Sequence, residues 1–66
     1  MNECWEVRVS AGDVDDVYWF LEYRQAIEQR RMLALQRARG IDPGFDDDEP
    51  VWYVGDVKFT VRLVKA

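Results

Sequence analysis

From Cys4 to Ser10 (CWEVRVS) apolar and polar positions alternate at every step. Trp5, Val7 and Val9 point one way and Glu6, Arg8 and Ser10 the other, the pattern of a strand with one buried face. Residues 13–39 read instead with a helical period. Asp13 is placed to cap the first turn, with Asp15 and Asp16 near the positive end of the helix dipole. Arg30, Arg31, Arg37 and Arg39 crowd the opposite end, and Gly40 followed by Pro43 marks the stop. Turned through about 100° per residue, this segment carries two apolar faces. Val14, Val17, Tyr18, Leu21, Met32 and Leu35 lie on one, and Trp19, Phe20, Tyr23, Ile27, Ala34 and Ala38 on the other.

Residues 51–65 alternate again. Gly55-Asp56 stands between Val54 and Val57, which fits a two-residue hairpin turn of type II′ or I′ and pairs Trp52 with Phe59, Tyr53 with Lys58 and Val51 with Thr60. A bulge at Gly55 in one long strand is the competing reading. Between helix and hairpin, residues 40–50 hold two prolines, two glycines and five carboxylates, a loop that Ile41 and Phe45 are suited to pin.

The chain is therefore expected to form one domain over residues 1–66: strand 4–10, helix 13–39, acidic loop 40–50, hairpin 51–65. The expected fold is a small two-layer α+β sandwich of β-α-β-β order. Its antiparallel sheet has three strands in the order 1-3-2, and the long helix packs on one face. A helix of that length runs roughly 40 Å, whereas a seven-residue strand spans about 23 Å, so part of the rod is expected to overhang and seek a partner.

Composition narrows the chemistry. At 66 residues the domain sits near the size where a hydrophobic core barely suffices, and three Trp, three Tyr and three Phe supply much of the apolar area. With no histidine, neither a Ser/His/Asp nor a Cys/His constellation can be built, and the glycines have no phosphate-loop spacing. The carboxylates of DPGFDDDE do not match a calcium loop. No enzyme activity, no cofactor and no metal are expected. The lone Cys4 cannot staple its own domain, and no leader or run of about eighteen apolar residues is present, so a cytoplasmic protein is expected.

Three surfaces remain as candidates for binding. One is the acidic run Asp46, Asp47, Asp48 and Glu49 on a chain of net charge −4, suited to a basic protein groove and repelled by nucleic acid. A second is the spare helix face with Trp19, Tyr23, Ile27, Ala34 and Ala38, flanked by Arg30 and Arg37; tryptophan, tyrosine and arginine are the residue types enriched at interface centres. Along it, Ala34 and Ala38 would admit a second helix in a homodimer. The third is the uncovered sheet face, where Arg8, Lys58 and Arg62 surround Tyr53 in the manner of a weak RNA platform. The first reading is thus a protein-binding module, with a helix-mediated homodimeric assembly subunit as the alternative.

In size, acidity and lack of catalytic groups the chain resembles the small phage-encoded inhibitors of host defence systems, anti-CRISPR proteins among them. The resemblance rests on no specific residue. What it implies is an inhibitor in the host cytoplasm that docks on a nucleic-acid-binding complex.

Overall fold

Gly12 decides the topology. In the computed structural model, which describes residues 3–65, its φ of 62° lets Gly12-Asp13 close a two-residue hairpin that pairs Ala11 with Val14. The elements are β1 (Glu3–Ala11), β2 (Val14–Phe20), α1 (Tyr23–Arg37), β3 (Val51–Val54) and β4 (Val57–Lys65). They form a four-stranded antiparallel sheet in the order β2-β1-β4-β3 with one helix packed against it.

The expected three-stranded sheet is thereby corrected to four strands, and the first third of the expected 13–39 helix is a strand. Val14–Phe20 (VDDVYWF) is rich in β-branched and aromatic residues that lose side-chain freedom in a helix and pack well on a pleated surface. Pairing it with β1 also covers what would otherwise be a nine-residue open edge. Asp13 is a turn residue. The helix starts at Tyr23, with Glu22 in the cap position and no side-chain cap bond.

The C-terminal hairpin has the expected register, Val54 against Val57 and Trp52 against Phe59, and β4 lies between β1 and β3. Strand pleating then sorts the side chains. Trp5, Val7, Val9, Tyr18, Phe20, Trp52, Val54, Val57, Phe59, Val61 and Leu63 share the face under α1. Ala26 and Ala34, both without solvent exposure, let the helix approach closely. Ala34, Trp52, Val57 and Phe59 form the core, with Val9, Ala11, Leu33, Phe45 and Val54 packed around it. Each large apolar side chain buried there contributes roughly 1.5–3 kcal/mol.

The overhang disappears with the shorter helix. Fifteen residues span about 22 Å, less than the roughly 30 Å of the nine-residue strands β1 and β4. Ala34 is spent on the sheet and offers nothing to a second helix.

The helix ends in a Schellman motif. Gly40 N–H donates to the Leu35 carbonyl at 2.7 Å and Arg39 N–H to that of Gln36 at 3.2 Å. The expected glycine stop is displaced by one residue: Arg39 takes the first left-handed position, φ 58°, and Gly40 follows at 81°. A side chain at that φ costs about 1 kcal/mol relative to glycine. Arg39→Gly is therefore expected to raise stability by roughly 0.5–1 kcal/mol in a urea titration, with an unchanged denaturant slope.

Candidate functional site

The acidic loop is held by two arginines of α1. Arg30 is 1% exposed, and its guanidinium lies 3.8 Å from the centre of the Trp52 ring. It donates to the backbone carbonyls of Glu49 at 2.9 Å, Pro50 at 3.3 Å and Asp47 at 3.3 Å. Burial lowers its pKa, yet an arginine keeps its proton, so the positive charge is met by loop carbonyls. Phe45 stacks on Trp52 at 4.4 Å, and the indole N–H donates to the Asp46 carbonyl at 2.7 Å. Of the two apolar residues expected to pin the loop, Phe45 does so and Ile41 stays exposed.

Arg31 adds the outer clamp, pairing with Asp42 at 2.9 Å and Asp47 at 2.7 Å. Asp42 also accepts from the backbone N–H of Phe45 and Gly44, and these bonds hold its carboxyl below the usual range. Asp46 accepts from Asp48 N–H at 2.9 Å. The loop backbone is thus pre-ordered along most of its length, which reduces the conformational entropy a binding partner would have to remove.

Facing outward are the carboxylates of Asp46, Asp48 and Glu49, for which no cation lies within ion-pair distance among the described residues. Asp47, Asp48 and Glu49 line a shallow cleft of about 190 Å³ together with Tyr23, Trp5, Pro50, Val61 and the edge of Arg30. Tyr23 stands in the first turn of α1, its ring 4.5 Å from that of Trp5. Five of the eight residues singled out from the sequence meet here. Of the other three, Asp46 lies one step along the loop and Ile27 is half-buried one turn along the helix.

Trp19 is elsewhere. It belongs to β2 and pairs with Glu6, so it projects from the uncovered face of the sheet. The helix patch expected from Trp19, Tyr23, Ile27 and Arg30 therefore does not exist as one surface: Trp19 is not helical, and Arg30 is buried under the loop.

On the uncovered face, Glu6 is 2% exposed although the sheet carries no layer above it. Arg8 and Arg62 each place Nε 3.1 Å from its Oε1 and a second nitrogen 3.4 and 3.3 Å from Oε2. Arg8 reaches on to Asp15 at 3.2 Å. Burial alone would raise the Glu6 carboxyl, but the hydrogen bonds and charges of the two arginines outweigh it and hold the group below its ordinary value. Two of the three cations on this face are thereby engaged. Its exposed rings, Trp19 and Tyr53, stand on opposite edge strands and four rows apart along them, roughly 20 Å in all, too far to stack neighbouring bases.

Among the described residues no group of three or more Cys, Asp or Glu side chains is arranged to hold a metal ion. Cys4 is free and half-buried in β1. No helix of the described residues is long and apolar enough to cross a membrane. No family model, no curated protein and no solved structure matches the chain.

Sequence reasoning missed the two buried ionic centres. The helix did carry a signal for one of them: Ala26, Arg30 and Ala34 follow each other at four-residue spacing, so the stripe of small residues that marks the buried face runs through the arginine.

Proposed function

We propose that the chain is a small protein-binding module without catalytic function, which docks through the clamped acidic loop and Tyr23 onto a basic surface of another protein. The observation that carries this reading is the meeting of Asp47, Asp48 and Glu49 with Tyr23 in one cleft on a loop whose backbone is already ordered. A lysine or arginine side chain is the natural occupant, its stem against Trp5 and Tyr23 and its charged head among the carboxylates. A protein site built to hold phosphates presents such side chains in rows. Inhibition of a nucleic-acid-binding complex, the role implied by the resemblance to phage-encoded inhibitors, is the most specific form of this reading.

The test uses tagged full-length protein to capture its partner from a lysate, followed by titration of the purified pair at several salt concentrations. The triple variant Asp46→Asn, Asp48→Asn, Glu49→Gln leaves the Arg30 and Arg31 clamps intact. It is expected to weaken binding about tenfold or more at low salt and to flatten the salt dependence. Equal affinity of variant and parent at low salt would reject the electrostatic docking surface.

A further inference from the structure

The two edges of the sheet are unlike. β3 has four residues, follows Pro50 and runs beside the acidic loop, the short and guarded kind of edge that resists pairing. β2 has seven residues with no proline, lysine or arginine among them. It and its continuation into α1 also gather exposed apolar side chains: Val14 at 61%, Trp19 at 55% and Leu21 at 82%, with Tyr23 beyond.

The outward backbone groups of β2 follow from the hairpin. In a two-residue turn the closing pair, Ala11 and Val14, exchanges its hydrogen bonds within the hairpin. By alternation Asp15, Val17 and Trp19 turn their N–H and C=O groups away from β1. These are the groups a further strand would meet.

We propose that the β2 edge is an interface for a second copy of this chain, pairing antiparallel about a two-fold axis through Val17 to make a continuous eight-stranded sheet. The sequence of the strand is complementary to itself in that register. Val14 then stands opposite Phe20 of the copy, Asp15 opposite Trp19, Asp16 opposite Tyr18, and Val17 opposite Val17. Apolar residues face apolar ones, and each carboxylate faces an aromatic ring bearing an N–H or O–H donor. In the protomer the Trp19 indole N–H has no acceptor among the described residues, whereas the Trp52 indole N–H has one.

Other registers lose this match. A two-fold axis perpendicular to the sheet pairs residues whose numbers sum to an even value, because both members of a pair must project from the same face. Centred on Asp16, the strand sets two carboxylates against each other; centred on Tyr18, it sets Asp16 against Phe20. The Val17 register adds roughly six backbone hydrogen bonds and leaves both helices on one side of the extended sheet.

Sedimentation equilibrium of the full chain from micromolar to submillimolar concentration is expected to show a species of twice 7.8 kDa. Val17→Pro removes an outward N–H without touching the bonds to β1, and Val17→Lys sets two ammonium groups face to face at the axis. Each is expected to raise the dissociation constant at least about 100-fold. Met32→Glu, on the outer surface of α1, is expected to leave the dimer intact. Amide exchange in the unmodified chain provides a readout free of substitution: protection at Val17 and Trp19 is expected to rise with concentration. A monomer throughout the range, a dimer indifferent to both Val17 changes, or one broken by Met32→Glu overturns the proposal.

Discussion

Replacing Arg30 with alanine is expected to cost about 3–5 kcal/mol and to leave the chain without a cooperative unfolding transition. The side chain is buried, so nothing from solvent replaces it, and its loss leaves a cavity beside Trp52 and removes a donor from three loop carbonyls, of which that of Pro50 keeps the Val61 N–H. A domain of this size rarely holds more than about 5 kcal/mol in reserve. Arg30→Met separates the two contributions, since it refills most of the volume without restoring the hydrogen bonds. It is expected to lose roughly 2 kcal/mol while keeping the sheet, with amides of the 42–49 segment exchanging fast. Far-UV circular dichroism, urea titration and amide exchange read all three outcomes. An alanine variant within about 0.5 kcal/mol of the parent would show that the loop is held by Phe45 and Arg31 without Arg30.

The same residue shows where sequence reading stops. An arginine in the middle of a helix reads as surface, because charged side chains are seldom buried without a partner. The partner here is a set of carbonyls from a loop seventeen to twenty residues away, which no local pattern announces. The C-terminal hairpin was legible because Gly55-Asp56 sits between two alternating strands. The chain contains the same dipeptide at Gly12-Asp13, after a strand that also alternates, and there the run of aspartates argued for a helix cap. The segment DVDDVYWF, residues 13–20, supports either period over so short a length, since apolar positions at 14, 17 and 18 fit a helix and those at 17 and 19 a strand. Pairing with β1 decides between them, and that is a tertiary contact. Of the candidate site, the acidic run and Tyr23 were readable as surface chemistry, whereas their convergence depends on the corrected helix start and on the clamp.

Glu6 sets the pH response of the uncovered face. Burial between Arg8 and Arg62 favours its neutral form, yet the two guanidiniums outweigh that effect and hold its pKa below the ordinary 4.5. A carboxyl that binds its proton less tightly when folded stabilises the fold fully above its unfolded value. That contribution declines as pH falls through the lower folded value. Acid sensitivity is therefore expected to begin below about pH 4.5. Since Arg8 and Arg62 are themselves partly solvated, the arrangement contributes less than a fully enclosed ion pair. Glu6→Gln keeps the shape and removes the charge. The gap in melting temperature between parent and variant is expected to be widest near neutrality and to close as pH falls well below 4.5, since the parent carboxyl is then protonated as well. The variant retains some acid loss through Asp42, whose carboxyl is also held low, by the N–H groups of Phe45 and Gly44. A gap that stays constant from neutral to acid pH would mean that Glu6 acts through packing alone, with the two arginines contributing no net attraction.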